Sequence, residues 1–545
     1  KTGGFSYNRR NKMFDKVQRR PSVMDHGFSK VANIEIPRSQ FDRSHSVKTT
    51  FDSGYLIPIF VDEVLPGDTF SLRVNGLARM ATPIYPVMDN MYMETFFFFV
   101  PYRLIWDNWE RFMGEQTSTP SDSIDFNVPQ FANLGGVAPE TIFDYMGIPP
   151  QVGPLRFNSL PFRAYNFIWN EWFRDQNLQN ALVEERDDGD DNPSFYAIRR
   201  RNKRHDYFTS CLPWPQKGDS VDIPLGTVAP VTGIGLSTQT YGNPLQTAYE
   251  TGEAAGTPYA ANDWLGGTAL MVQQDPNNAG FPNIYADLEN ATAATINQLR
   301  QGFQIQRLLE KDARGGTRYP EIIMSHFQVM DPQYLVLQRP EYLGGGSSPI
   351  NQTIVPNTTD IGGTQPFPQG KLSSYATAVL DGHGFNKSFT EHGVVIGLVN
   401  VRADITYQQG LERMFSRQTR YDFYFPVLSQ IGEQPVYQRE IYADGTSQDD
   451  DVFGYQERYA EYRYKPSRIA GQFRSSFSTP LDAWHLAQDF ETPPALNASF
   501  IEDEPPIDRV IAVDDEPEFI LDAFFNLHCA RPMPMFGIPG MIDHF

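Results

Sequence analysis

The strongest hydrophobic pattern in the chain lies between Met91 and Gly114, MYMETFFFFVPYRLIWDNWERFMG. Four consecutive phenylalanines, Phe96, Phe97, Phe98 and Phe99, place aromatic rings on both faces of a strand, because successive side chains point to opposite sides. A sheet with one face in water instead alternates apolar with polar residues. The pattern therefore predicts a structural strand whose second face needs a cover, from this chain or from a neighbouring copy.

Period-two alternation of apolar and polar residues predicts further strands near both ends of the chain. In one of them Phe70, Leu72 and Val74 are separated by polar residues. The predicted strands lie at 52–60, 69–82, 399–407 and 519–528. Strands at both ends with long excursions between them favour a mainly β, antiparallel sandwich or jelly roll over a βαβ alternation.

Helical spacing of apolar residues predicts two helices after the Phe-rich strand, one at 103–113 and one at 162–176. The second stretch carries Tyr165, Trp169 and Trp172 on one stripe, so we expect it to cover the strand. A third helix is predicted from Thr295, where Thr295 and Gln298 resemble a capping box, to the Gly315-Gly316 pair.

Composition supports a folded chain with many turns. Among 545 residues there are 40 Phe, 26 Tyr, 42 Gly and 42 Pro. Cys211 and Cys529 lie far apart, which argues against a disulfide scaffold or a zinc site and favours a reducing assembly environment. The longest apolar run, 96–100, is too short to span a bilayer, and the N-terminus lacks the apolar segment of a signal peptide, so we expect no membrane insertion.

Two segments are predicted to be surface excursions. Residues 218–299 contain no Lys or Arg and are rich in small and polar residues, which cannot build a deep core. Residues 344–370 also lack a basic residue and are predicted to be a second loop.

Charge is distributed unevenly along the chain. The formal net charge is -21, but seven basic residues against Asp15 give +6 over residues 1–20, which leaves -27 for the rest. A basic arm on an acidic body is typical of a polyanion-binding tail, with a solvated disordered terminus as the alternative. The candidate DNA-binding residues of the arm are Arg9, Arg10, Lys12, Lys16, Arg19 and Arg20.

A second basic run follows the acidic cluster at 187–191. The sequence leaves two partners open for this run: nucleic acid, or acidic loops of a neighbouring subunit. The spacing around Gly189 does not match an EF-hand loop, so a solvated loop is the simplest interpretation of the acidic cluster. The residues of the basic run are Arg199, Arg200, Arg201, Lys203 and Arg204.

No catalytic motif occurs in a usable context, so we expect no enzyme, no cofactor and no metal site. His326, His383, His392 and His485 have no metal-ligand spacing, and polar core or interface histidines are the simpler interpretation. From the residues alone two classes remain. One is a self-assembling structural protein, and the other is a carbohydrate-binding or carbohydrate-cleaving β-sandwich.

Several long, aromatic-rich strings decide between these classes. They resemble the major capsid protein of the microvirus family, small icosahedral single-stranded DNA bacteriophages, on the gokushovirus branch. The strings are 42–58, DRSHSVKTTFDSGYLIP; 165–178, YNFIWNEWFRDQNL; 205–218, HDYFTSCLPWPQKG; 306–319, QRLLEKDARGGTRY; 338–345, QRPEYLGG; and 389–411, FTEHGVVIGLVNVRADITYQQGL. They span most of the chain, and the resemblance is weakest over 226–292 and 344–370.

The resemblance implies an eight-stranded antiparallel viral jelly roll with large inter-strand insertions containing short helices, assembled as a homo-oligomer into an icosahedral capsid around single-stranded DNA. It implies a virion protein assembled in the host cytoplasm, with a small basic internal DNA-binding protein and a pilot protein as partners. The basic arm is then a DNA contact or a contact between subunits. The chain is expected to divide into four segments. A basic arm and lead-in occupy 1–45, and the first strands with helical insertions occupy 46–225. A protrusion near a threefold axis, which contacts a host surface receptor, occupies 226–292, and the remaining strands, loops and C-terminal segment occupy 293–545.

Overall fold

The computed structural model describes residues 37–115, 126–215, 217–218, 231–232, 285–286, 296–329, 338–358 and 369–537. The described part is mainly β, with short helices in the connections. Its strands are β1 (Ser39–Asp42), β2 (His45–Phe51), β3 (Ile57–Val64), β4 (Thr69–Met80), β5 (Met91–Pro101), β6 (Gln130–Leu134), β7 (Leu155–Asn158), β8 (Val231–Thr232), β9 (Tyr285–Ala286), β10 (Glu341–Pro349), β11 (Asn351–Pro356), β12 (Leu372–Ser388), β13 (Gly393–Ala403), β14 (Glu433–Tyr437), β15 (Val452–Glu457) and β16 (Phe519–Arg531).

The helices lie between strands. The α-helices are α1 (Trp109–Phe112), α2 (Ile142–Tyr145), α3 (Leu160–Ile168), α4 (Ile296–Gly315), α5 (Tyr319–Ile322) and α6 (Ala498–Ile501). A π-helical turn extends α3 over Trp169–Phe173, and another extends α5 over Ile323–Phe327. Short 3-10 turns occupy Tyr102–Leu104, Pro193–Phe195, Arg413–Ser416, Arg420–Asp422, Pro426–Gln430, Gln438–Glu440, Ser447–Asp450, Ala460–Tyr462, Gly471–Phe473 and Asp482–Trp484.

Two antiparallel sheets dominate the structure. The larger is six-stranded, with the order β1-β16-β4-β12-β11 and with β2 also beside β16. The smaller is four-stranded, with the order β10-β5-β13-β3. Three two-stranded ribbons, β14-β15, β6-β7 and β8-β9, lie outside these sheets. The predicted mainly β, antiparallel fold is therefore confirmed.

The two sheets pack face to face around an aromatic core. Phe60 of β3 and Phe525 of β16 lie 5.4 Å apart between ring centroids, so rings from opposite sheets touch. Phe97 of β5 reaches Phe385 of β12 across 5.6 Å. These spacings are those of favourable aromatic pairs. The apolar alternation of the sequence thus lines the space between the sheets.

The outward face of the six-stranded sheet is open. Along β16 the residues alternate strictly between buried and exposed from Phe519 to Phe525. Along β4, Phe70 and Leu72 point inward while Ser71 points outward. This is the pattern expected of an antiparallel sheet with one solvated face.

The four-stranded sheet is covered on its second face. All eleven residues of β13 are buried. On β5, Phe97 and Phe99 lie between the sheets, whereas Phe96 and Phe98 lie against the helical cover. The ring of Phe173, in the π-helical extension of α3, is 5.6 Å from that of Phe96 and 5.9 Å from that of Phe98.

The predicted helix at 162–176 is present as α3 with its π-helical extension. Its packing is fixed by a buried hydrogen bond, in which Tyr165 Oη donates to the Leu56 carbonyl at 2.9 Å. The predicted helix at 103–113 is instead broken into a 3-10 turn and α1. In the interruption, the Trp106 indole N–H donates to Asp188 Oδ1 at 2.6 Å, a contact that sequence spacing does not reveal.

The predicted loop at 344–370 is wrong over its first part, because β10 and β11 occupy 341–356. A glycine in this stretch allows a close approach between strands. A Cβ on Gly346 would lie 2.5 Å from the His383 ring of β12. Glycine at this position therefore lets β10 cross the edge of β12 while pairing with β5.

Candidate functional site

The arm residues Arg9, Arg10, Lys12, Lys16, Arg19 and Arg20 lie outside the described residues. The insertion at 226–292 does so too, apart from β8 and β9, which pair through Val231–Ala286 and Thr232–Tyr285. The predicted capping residue Thr295 is also outside them, whereas α4 itself is present as predicted.

The basic run at 199–204 contacts carboxylates and carbonyls of its own chain. Arg200 Nη2 lies 2.9 Å from Glu504 Oε1. Lys203, which is buried, donates from Nζ to the Phe500 carbonyl at 2.7 Å. The sequence left nucleic acid and a neighbour's acidic loop open as partners. In the structure the run has a third kind of partner, acceptors within its own chain. Sequence spacing could not predict them, because they lie about three hundred residues further along the chain.

Glu94 of β5 is the centre of the ionic cluster formed by this run. Its carboxylate forms a close ion pair with Arg201, and Arg402 Nη2 lies 3.0 Å from Glu94 Oε2. Arg204 Nη2 approaches Glu94 Oε1 at 3.4 Å and also pairs through Nη1 with Asp404 at 3.2 Å. One carboxylate on the covered face of β5 thus holds three guanidinium groups.

Burial and charge oppose each other in this cluster. Burial disfavours the Glu94 carboxylate, but Arg201 and Arg402 outweigh it and hold the pKa of Glu94 below its ordinary value. Burial, together with the nearby charge of Arg201, lowers the pKa of Arg402 to about 10. Burial raises the pKa of Asp503 to about 6 against the attraction of Arg402 and Lys203. Glu94, Arg201 and Arg402 therefore form a largely buried charge network in which each charge depends on its partners, whereas Arg204 lies at its exposed edge.

An open cavity of about 830 Å³ adjoins the cluster, between the cover and the end of α4. Arg174 reaches this cavity with one weak hydrogen bond, from Nη1 to the Gln179 carbonyl at 3.4 Å, and burial lowers its pKa. Trp172 and Tyr342 supply aromatic surface beside it. The other guanidinium groups that line it are paired with carboxylates of the chain, among them Arg314 with Glu433 and Arg318 with Glu321.

The histidines do not form one centre. His383 is buried and hydrogen-bonded to Thr95 at 2.8 Å and to Ser348 at 3.0 Å, which ties β12 to β5 and β10. His326 contacts Asp312 at 2.6 Å in a different part of the fold. Within the described ranges no group of three or more His, Cys, Asp or Glu could hold a metal ion. Cys211 and Cys529 are both buried and free.

A dense exposed aromatic surface was missed by the sequence analysis. We call the segment 414–431 together with Tyr462 the aromatic platform. Nine of its large side chains are between 41% and 87% exposed, and Val427 is the most exposed of them. The signal was available, because a segment with many aromatic residues and neither helical nor strand periodicity has no evident way to bury them. The exposed large residues are Met414, Phe415, Tyr421, Phe423, Tyr424, Phe425, Val427, Ile431 and Tyr462.

No helix in the part of the chain that the structure describes is long and apolar enough to cross a membrane. The sandwich of two antiparallel sheets, the helical cover and the exposed aromatic surface are features of a structural protein that associates with other chains. Residues 29–541 match the family model described as Capsid protein (F protein), and the chain belongs to this family of phage capsid proteins.

Curated relatives match along nearly their whole length. The chain is 46% identical over 531 residues to capsid protein VP1 of Bdellovibrio phage phiMH2K, covering 95% of this chain and 98% of the relative. It is 43% identical to capsid protein VP1 of Chlamydia phage 1, covering 96% and 99%, and 37% identical to that of Spiroplasma virus 4, covering 95% and 97%. The resemblance to gokushovirus capsid proteins is confirmed, and family and names indicate a structural, non-enzymatic role.

Proposed function

We propose that the chain is the major subunit of an icosahedral virion shell that encloses a single-stranded DNA genome, and that its core is an eight-stranded viral jelly roll. The observation that carries the shell proposal is the match of residues 29–541 to the capsid family. A subunit that assembles in the host cytoplasm into a closed homo-oligomer fits free, buried cysteines and an acidic body.

The strand order supports the jelly roll. With the edge strands β1 and β11 set aside, the larger sheet holds β2, β16, β4 and β12, and the smaller holds β3, β13, β5 and β10. Along the chain, each step between these strands crosses to the other sheet except the step from β5 to its neighbour β10. Eight antiparallel strands wound between two sheets in this way are the pattern of a double Greek key.

The purified chain tests the proposal through its size in solution. Sedimentation velocity should show one large, uniform particle rather than a monomer, because obligate assembly interfaces are extensive and core-like. A chain that sediments as a monomer and binds glycans would contradict the shell and support the carbohydrate-binding sandwich instead.

The arm is proposed to contact DNA by neutralising phosphates without sequence preference. Particles lacking residues 1–20 should then package less DNA and lose salt-sensitive affinity, and replacing the six arm cations by Gln in the full chain should have the same effect. Unchanged DNA content in both variants would assign the arm to a contact between subunits. A small basic internal protein and a pilot protein are proposed partners that complement the acidic shell.

The insertion at 226–292 is proposed to form a surface protrusion, near the threefold axis, that contacts a host receptor. Its lack of Lys and Arg and its small, polar composition support a surface segment. Deleting it should abolish attachment to host cells while shells still form. Loss of shells on deletion would instead show that the segment serves assembly.

A further inference from the structure

The aromatic platform is held in place by the chain beneath it. Arg458 Nη2 donates to the Tyr421 carbonyl and Tyr459 Oη donates to the Phe423 carbonyl, both at 2.9 Å. The carboxylate of Asp422 accepts the backbone N–H of Thr419 at 2.7 Å. Because these bonds fix the backbone, the exposed rings are presented in a set arrangement, and a partner would order little of this segment on binding.

The composition of the platform is that of an interface centre. Arg417 stacks over Tyr462 with its guanidinium carbon 4.4 Å from the ring centroid, and Arg420 lies 5.3 Å from that of Tyr421. Aromatic residues and Arg are enriched at protein interfaces and dominate their binding energy. Nine large side chains, each at least 41% exposed, supply apolar area on the scale of the ~800 Å² per partner that a standard interface buries.

Charge indicates which partner fits. Arg420 forms no ion pair with any residue that the structure describes, so its guanidinium group is free to pair with a carboxylate of a partner. The same chain has a formal net charge of -21. Its exposed turn at 514–516 holds three carboxylates, Asp514, Asp515 and Glu516, with no cation partner among the described residues. A second copy thus presents charge of the required sign.

We propose that the aromatic platform is a surface through which one subunit binds a second copy of the same chain. This inference rests on the proposed shell and names one of its contacts. Val427, in the 3-10 turn Pro426–Gln430, is the most exposed side chain of the platform and is the one we expect to be buried most by the neighbour. A heterologous contact of this kind, between two different surfaces of identical chains, closes into rings around a symmetry axis.

Hydroxyl-radical footprinting of the unaltered protein tests the proposal without any substitution. Met414, Phe415 and Tyr421 should be oxidised readily in dissociated subunits and at least about fivefold less in assembled shells, because interface centres exclude water. Equal oxidation in both states would overturn the proposal while leaving the shell itself established. An unaltered chain that forms no shell would instead contradict the proposed function.

Substitution provides the second test. Val427→Asp and Arg420→Glu should raise the protein concentration needed for assembly by at least about tenfold, since each places an uncompensated charge in a desolvated contact. Circular dichroism of the monomers checks that they remain folded. Val152→Asp is the control, because Val152 is 49% exposed and lies outside the platform. Assembly of both platform variants at the concentration that suffices for Val152→Asp and the unaltered chain would overturn the proposal.

Discussion

The two sheets of this sandwich differ in what lies against their second faces. In the six-stranded sheet, Ile520 and Phe524 of β16 point to solvent and are 58% and 46% exposed. In the four-stranded sheet, Phe98 of β5 and Ile396 of β13 occupy the corresponding outer positions and are at most 1% exposed. The difference shows that the long connections of the chain are folded over one sheet and leave the other open.

Covering a sheet changes which polar residues it can hold. Asn400 and Arg402 of β13 alternate with apolar residues, a pattern typical of a solvated face, yet both are buried. Asn400 Nδ2 donates to the Tyr55 carbonyl at 2.9 Å, and Arg402 pairs with Glu94. Polar residues beneath the cover are therefore retained through specific partners, because an unpaired buried charge would be very costly.

The largest expected effect is on packing beneath the cover. Phe98→Ala removes a ring that contacts Trp172 and Phe173 across 5.5 Å and 5.9 Å. It should lower the free energy of unfolding of the dissociated subunit by about 3–5 kcal/mol. Phe524→Ala on the open sheet is the matched control, with an expected loss of about 1 kcal/mol or less. Urea denaturation measures both, and equal losses would show that the comparison between the sheets is wrong.

The second effect concerns the charge network. Glu94→Ala leaves Arg201 and Arg402 without their carboxylate and should cost about 3 kcal/mol of unfolding free energy. Asp522→Ala on the open sheet breaks only the exposed pair with Lys48 at 3.3 Å, so a change within about 1 kcal/mol is expected. A Glu94→Ala variant as stable as the Asp522→Ala variant would mean that the network adds nothing to stability.

The strand that contains Phe98 shows which parts of the fold could be predicted from the sequence. Its four rings require burial on both sides, and the amphipathic helix at 162–176 was a sufficient guide to the cover. The loop predicted at 344–370 failed over its first part because it rested on the lack of basic residues, which does not distinguish a loop from the strands β10 and β11. In that part Gly346 makes a close contact with His383 of β12. Alternation and amphipathicity are local, whereas such a contact joins residues far apart in the chain.

Less of the candidate site than of the fold could be predicted from the sequence. The basic run was found, but its partners Glu94 and Glu504 are distant in sequence, and its role in a buried network follows only from the fold. The aromatic platform was missed, although the aromatic residues at 414–431 lack the periodicity by which a helix or a strand would bury them. Family membership, by contrast, was correctly inferred from long matching strings.

The smallest expected effect is a pH dependence at the edge of the open sheet. Burial raises the pKa of Glu518, just before β16, to about 7, although the Ser53 backbone N–H donates to its carboxylate at 2.6 Å. The folded chain therefore binds this proton more tightly than the unfolded chain, whose Glu pKa is about 4.3. The group's contribution to stability is fully present below about pH 4 and is lost as pH rises to about 7.

Glu518→Gln keeps the acceptor for the Ser53 N–H and removes the titration. As the pH rises from 5.5 to 7.5, the unfolding free energy of the variant should increase by about 2 kcal/mol relative to that of the unaltered subunit. Urea denaturation at several pH values measures this difference. Parallel stability profiles for the two proteins would show that Glu518 does not titrate in that window.

The most direct test of the whole account is electron cryomicroscopy of the purified, assembled protein. We expect closed icosahedral shells in which each subunit contains two packed antiparallel sheets. The helical cover should lie on the β10-β5-β13-β3 sheet, and a neighbouring subunit should lie against the aromatic platform. Images that show only monomers, or shells whose subunits lack this sandwich, would contradict it.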